Sequence, residues 1–321
     1  MVPAALIPAF FLAGTVACFP IAIVIAGSLL IDRLFGDPHS SLHPVALLGR
    51  FIGWWGRPDL WKAPYQKAVG VGMGVLTLAL FALPFLLVDL FAPLFAFLLL
   101  GPFLLKSCFA WRSLEDHVNA VVRVAESDLD AARTEVGAMV SRGTRNLSKE
   151  QVLSGAYESA SENLVDSIIS PLFYCALFGL AGSAVFRGAN TLDAMLGYRD
   201  ERERIGWFSA RMDDILNYLP ARITGAVLLL YFACRGRFHP AWEVFRKDAR
   251  KRPGWNGGIP MAIIAGGSGV QFVKPGIYTM GNGERSLIEG GPEVIRAIRY
   301  TTIALAFLLI GALLLGCIAY G

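Results

Sequence analysis

Three carboxylates recur at one helical interval: Glu158, Glu162 and Asp166, each four residues after the last. Residues four apart lie above one another on an α-helix, so all three share a face. Leu153, Tyr157, Ala160, Leu164 and Ile168 form an apolar stripe on the other side. Like charges at this spacing cost about 0.2–0.5 kcal/mol per pair, and a solvent-facing helix usually offsets that with interleaved lysines. Here no Lys or Arg occurs between Lys149 and Arg187. The neutralising cation is therefore expected from elsewhere, either an arginine on another segment or a metal ion.

Further polar groups recur along the chain. The stretch IDRLFGDPHSSLHP holds Asp32, Asp37 and His43, and the His43–Pro44 step is also an ordinary structural turn. Asn190 and Asp193 are three apart and share a helical face, and Asn163 lies beside the acidic stripe. Arg211, Asp213, Asp214, Asn217 and Arg222 form another group around the helix breaker Pro220. Carboxylates and Asn amides are hard oxygen ligands of the kind Mg²⁺ selects. Magnesium takes one or two carboxylates and keeps waters and substrate phosphates, so two acidic groups facing one cavity would suit a Mg–nucleotide. A P-loop is not present: AGGSGVQFVKPG has the glycines and Lys274 but lacks the GKS/T ending. It reads equally as a small-residue helix followed by a turn.

The elements that must position these side chains are membrane helices. The 321 residues are 55% hydrophobic, mean hydropathy is +0.53, and the first 31 residues carry no charge. A helix of about 20 apolar residues spans the hydrocarbon core. Residues 6–31 qualify, with Pro8 and Pro20 expected to kink them; so do 68–88, 90–105 and 301–319. Only Asp89 separates the second and third, which predicts a tight helical hairpin. A cleaved signal peptide would need a basic start, whereas the first basic residue is Arg33, so the first helix is read as retained.

Residues 170–187 and 217–234 are apolar too, and Pro171 and Pro220 near their starts suit re-entrant as well as spanning helices. The expectation is an α-helical integral membrane protein, one polytopic domain over 1–321 with four to six membrane-embedded helices. Amphipathic repeats at Leu114, Val118, Val121 and Ala125, then Leu129, Ala132, Val136 and Met139 after Asp128, predict extramembrane helices. Ser148 and Gln151 predict a capping box opening the acidic helix.

Segments 32–67, 106–167 and 235–300 are rich in Lys and Arg and are expected in the cytoplasm, where loops and amphipathic helices would form the site. Arg199, Arg202, Arg204 and Arg211 also favour a cytoplasmic 188–216, which holds if neither 170–187 nor 217–234 crosses. The net charge of +4 is modest and mixed with acids, so nucleic-acid binding is not expected. Five scattered cysteines without a CxxC pair read as small core residues. Nothing in the pattern points to an oligomeric state.

Five blocks then carry a resemblance: HPVALLGRFI, ESASENLVDSIISPLF, NTLDAMLGYRDER, GWFSARMDDILNYLPARIT and GGIPMAIIAGGSGVQFVKPGIY. In this order, from about residue 28 to 300, the chain resembles the adenosylcobinamide-phosphate synthase family (CobD/CbiB). It departs from the usual ESVAENLSDG at Ser161, Val165 and Ser167. The resemblance implies an ATP-dependent amide ligase of the inner membrane with its site facing the cytoplasm. Such an enzyme joins a corrinoid, adenosylcobyric acid, to (R)-1-aminopropan-2-ol or its O-phosphate.

On that reading Glu158, Glu162 and Asp166 with Asp213 and Asp214 surround Mg²⁺. Arg199, Arg211 and Arg222 take phosphate, and His43 or Asp37 is the base. Asn163, Asn190, Asp193, Asn217 and Lys274 are expected at the substrates. A Mg-dependent membrane prenyl- or CDP-alcohol transferase is the alternative, but its DxxD and DGxxAR repeats are missing. A proton-coupled transporter would carry acids within its spans, and these spans are nearly charge-free.

Overall fold

Backbone polar groups in a bilayer must be satisfied within their own segment, which makes helices the default for a chain this apolar. The computed structural model of the protein describes residues 18–37 and 43–320. In chain order these form α1 (Cys18–Phe35), α2 (Pro44–Trp55), α3 (Gln66–Phe91), α4 (Leu94–Lys106), α5 (Trp111–Val124), α6 (Leu129–Gly137) and α7 (Lys149–Leu164). A π-helical turn at Val165–Ile169 precedes α8 (Ser170–Leu196), α9 (Trp207–Leu216), α10 (Tyr218–Cys234), α11 (Phe238–Asp248) and α12 (Gly258–Ser268). A two-stranded hairpin, β1 (Gln271–Lys274) and β2 (Tyr278–Gly281), leads to α13 (Leu287–Tyr320). Five helical stretches are long and apolar enough to cross a membrane: Cys18–Phe35, Gln66–Phe91, Leu94–Val124, Lys149–Leu196 and Leu287–Ile318. Counting α9 and α10 together makes six. The protein is an α-helical integral membrane protein.

The chain forms two compact units whose segments alternate in sequence. The first contains Met1–Ala110, Ser170–Leu216 and Ala306–Gly321. Its core joins Leu48, Ile52 and Trp55 of α2 to Leu78 of α3, and to Ala189, Leu192 and Leu196 of α8. Pro8 and the rest of the expected first span before Cys18 lie outside the described residues. Pro20 lies within the described α1.

The hairpin of the second and third expected spans turns at Ala92–Pro93, not at Asp89, which stays helical. Asp89 has a different task. α8 is broken at Phe178 and Gly179, the glycine at φ 73°. The Asp89 carboxylate accepts hydrogen bonds from Leu180 N (3.1 Å) and Ala181 N (2.8 Å) just past the break. It caps a new helical start from a neighbouring helix. A Cβ on residue 179 would lie 2.9 Å from Asp89 Oδ2, so glycine is needed there for both space and φ.

The second unit contains Trp111–Ile169 and Asn217–Leu305. The expected capping box opens α7: Gln151 N donates to Ser148 Oγ (3.3 Å) and Ser148 N to Gln151 Oε1 (3.0 Å). Asp128 caps α6 through Asp130 N and Ala131 N. α7 is buried on every side from Val152 to Ser161, so its burial extends well beyond the apolar stripe. The glycine-rich stretch yields a buried helix, α12, ended by Gly269 in the left-handed region. An antiparallel hairpin in the register Phe272↔Met280 and Lys274↔Tyr278 follows it.

Candidate functional site

Each unit carries its own polar cluster. In the second unit, α7 and the π-turn present the three stacked carboxylates, and these meet unlike surroundings. Glu158 is buried, at 4% exposure. Its Oε1 accepts from Ser154 Oγ (2.6 Å) and Arg142 Nη2 (3.2 Å), and its Oε2 from the Tyr278 hydroxyl (2.7 Å). Ser154 Oγ also accepts from Val273 N (2.6 Å), tying α7 to β1. Burial, then the Glu158 charge beside it, pushes the Tyr278 hydroxyl pKa far up, so it remains a donor.

Glu162 is half-exposed and ion-paired with Arg252 from the loop after α11. Burial acts to lower the Arg252 pKa, but the Glu162 carboxylate outweighs it, and with help from Asp166 holds it above the ordinary value. The cation expected from elsewhere is thus supplied by arginine, at Arg142 and Arg252. Neither was singled out by the sequence, because pairing partners 16 and 90 residues away leave no local spacing signal.

Asn163 is occupied within its own helical segment: its amide donates to Ser159 O (2.9 Å) and its Oδ1 accepts from Ser167 Oγ (2.7 Å). Asn217 is buried and Lys274 half-buried at the end of β1. Arg222 lies over the Tyr218 ring (3.4 Å) and donates to Asn256 Oδ1 (2.9 Å) and Tyr218 O (2.7 Å).

In the first unit, Lys106 at the end of α4 is the organising cation. Its Nζ pairs with Asp37, lies 3.2 Å from Asp32 Oδ1 and donates to Phe109 O (3.1 Å). His43 caps α2, its Nδ1 accepting from Val45 N (3.3 Å). A neutral ring accepting at Nδ1 carries its proton on Nε2, which makes that atom a donor. Burial lowers the His43 pKa; the Asp37 charge opposes this, and Lys106 and Arg187 reinforce it. Arg187 also reaches Asn190 Oδ1 (3.5 Å), and the Asn190 amide donates to Asp213 Oδ1 (3.1 Å). Residues scattered in sequence, Asp37, His43, Asn190 and Asp213, are thus linked through Lys106 and Arg187, which spacing alone did not flag. Arg211 faces Asp214 at 3.8 Å, Asp193 is half-buried on α8 and Arg199 is exposed in the turn after it.

Glu158, Glu162 and Asp166 belong to the second unit, Asp213 and Asp214 to the first. Among the described residues, no three His, Cys, Asp or Glu side chains gather as a metal-holding group. A site built from one or two carboxylates and substrate phosphates is compatible with that. Glu162 and Asp166, both half-exposed, fit such a site. Glu158 fits poorly, since its oxygens already face three donors.

Comparison with known proteins places these residues in a family context. The model of the CobD/Cbib protein family matches residues 25–306. The probable cobalamin biosynthesis protein CobD of Pyrococcus furiosus is 40% identical over 292 residues, 90% of this chain and 96% of its own. That of Methanothermobacter thermautotrophicus is 40% identical over 79% of this chain and 85% of its own. The cobalamin biosynthesis protein CobD of Dehalococcoides mccartyi is 35% identical over 81% and 87%. No solved structure matches the chain.

Proposed function

The chain belongs to the CobD/Cbib protein family, and from that premise we propose that it is an enzyme of cobalamin biosynthesis, an ATP-dependent amide ligase. It joins a propionate of adenosylcobyric acid to (R)-1-aminopropan-2-ol or its O-phosphate. The observation that carries the reading is the family match across residues 25–306. The polar clusters support it chemically.

A carboxylate is a poor electrophile at neutral pH. Transfer of the γ-phosphoryl group of ATP to the propionate oxygen releases ADP and leaves an acyl phosphate. Phosphoryl transfer needs alignment and charge neutralisation more than covalent help. Arg252 and Lys274 are the cations assigned to the phosphates in the second unit, with Arg222 fixed by Asn256 and Tyr218 as a third. Glu162 and Asp166 would hold Mg²⁺, which supplies neutralisation of phosphate charge. The amine then attacks the activated carbonyl; the new C–N bond forms, the C–O bond to phosphate breaks, and the amine loses a proton. That proton passes to water. In the first unit's own cluster, Asp37, paired with Lys106, is the candidate base, and His43 Nε2, a donor in the cap geometry, is its candidate hydrogen-bond donor.

The direct test incubates purified protein with adenosylcobyric acid, ATP, Mg²⁺ and each amine, and reads products by mass. The expected result is the amide with stoichiometric ADP and phosphate. A corrinoid that stays unchanged with both amines while the protein is folded would overturn the proposal.

A further inference from the structure

A cavity of about 590 Å³ opens in the second unit between α10 and the first half of α13. It is separate from the carboxylate clusters above. Its walls follow a sequence along both helices. Contacts step backwards along α10 as they step forwards along α13: Arg235 with Glu293 (3.6 Å), then Tyr231 stacked on Tyr300 (6.0 Å). Val227 and Ala304 line the cavity beyond them. The helices therefore run antiparallel beside it, with Arg235 and Arg296 at one end and apolar side chains at the other.

The charged end has a defined balance. Glu293 is only 8% exposed and is covered by both arginines, Arg296 at 2.7 Å and Arg235 at 3.6 Å, while the arginine side chains are 52% and 54% exposed. The Tyr231 hydroxyl donates to the same carboxylate at 2.7 Å. Two guanidiniums against one carboxylate leave one positive charge facing outward. Arg299, one turn on, is neutralised by Glu115 at 2.8 Å.

Below this rim, Leu230, Val227, Ile303 and Ala304 line the cavity. From Arg296 to Ala304 the helix rises about 12 Å. Along that length the wall changes from cationic to aliphatic. Leu230, at the aliphatic side, also faces outward.

We propose that this cavity binds an anionic phospholipid, with its phosphodiester on Arg235 and Arg296 and an acyl chain along Leu230, Val227 and Ala304. Two features match the order of groups in a lipid: the surplus of one positive charge and the aliphatic wall. A free phosphate would use the rim alone and leave the wall uncovered. The arginines also sit where the apolar run of α13 begins, the level at which basic side chains meet lipid headgroups.

The test is native mass spectrometry of the full-length protein released from micelles doped with phosphatidylglycerol or phosphatidylcholine of identical chains. Wild type should retain phosphatidylglycerol about tenfold more than phosphatidylcholine. The Arg235→Gln/Arg296→Gln protein should lose that preference with its melting temperature unchanged. Ala304→Phe, which keeps the rim and fills the aliphatic end, should lower phosphatidylglycerol retention by a similar factor. Glycerophosphoglycerol, the same phosphodiester anion without chains, should not displace the lipid.

Equal retention of the two lipids by wild type would overturn the proposal. So would an unchanged preference in the folded double variant, or displacement by glycerophosphoglycerol. Should the double variant not fold, Ala304→Phe decides, and unaltered retention there refutes the site.

Discussion

Glu158 and Glu162 stand one helical turn apart, yet the structure gives them opposite consequences on substitution. Glu158 is buried under Arg142, Ser154 and Tyr278. Glu158→Gln removes the counter-charge of a mostly buried arginine, and breaking such a pair costs about 3–5 kcal/mol. A clear fall in melting temperature is expected whatever the magnesium concentration. Glu162 and Arg252 are 30% and 24% exposed, and a half-solvated pair is worth about 0–1 kcal/mol after screening. Glu162→Gln should therefore melt near wild type. Its ligase turnover should fall at least about 10–100-fold, the loss typical of a disturbed metal environment. A variant that melts early but turns over normally per folded molecule would assign Glu162 to structure.

His43 gives a pH prediction. Its folded pKa lies below the ordinary 6.5 through burial, so on acidification the unfolded chain takes up the proton first. The stability tied to the neutral ring is then fully present above 6.5 and is lost as pH falls through the lower folded value. Protonation also removes the Nδ1 acceptor that caps α2. His43→Asn keeps a capping oxygen but does not titrate. Melting temperatures across a pH series on both sides of 6.5 should fall less steeply for this variant, and parallel curves would exclude His43 as the source.

At the scale of elements, the informative feature is the break in α8. A helix interrupted at Phe178–Gly179 exposes new N–H groups, and Asp89 reaches across from α3 to take two of them. Loss of an N-cap side chain costs about 0.5–2 kcal/mol. Asp89→Ala should lower thermal stability in detergent by that order, and Asp89→Asn by less, since its amide oxygen still accepts. Gly179→Ala should be worse than an ordinary helix substitution, because it combines positive φ with a close approach to Asp89. Equal stability of Asp89→Ala and wild type would mean that the break is held by packing alone. The same broken segment explains why apolar length alone left 170–187 open between crossing and re-entrant forms. Length and composition describe a helix but not its interruption.

For the whole molecule, the prediction concerns sidedness. Arginines at 199, 202, 204 and 211 concentrate positive charge in 188–216, as in the segments 32–67, 106–167 and 235–300. Single cysteines placed in each segment, on a background without the native thiols, including the exposed Cys234, should all be shielded from an impermeant reagent in intact cells. Labelling in 188–216 from outside would instead require both flanking apolar stretches to cross. The division into two units, each made of segments from both halves of the chain, was not legible beforehand. Hydropathy is read along the sequence, whereas the units are closed by contacts distant in it.

By itself the sequence determined the membrane class, the apolar helices, the capping box at Ser148 and Gln151 and the family. Each of these is encoded within one segment, by periodicity, local hydrogen bonding or an ordered motif. Tertiary structure alone decided that Arg142 and Arg252 answer the acidic stripe and that Tyr278 from a hairpin strand completes Glu158. It alone showed Lys106 gathering Asp32 and Asp37, and Asp89 capping a broken helix instead of making a turn. In each case a charge is satisfied by a group far away along the chain, where spacing carries no information. Low dielectric makes such pairing compulsory once a carboxylate is buried. The sequence could therefore announce that partners were required, and only the fold could select them.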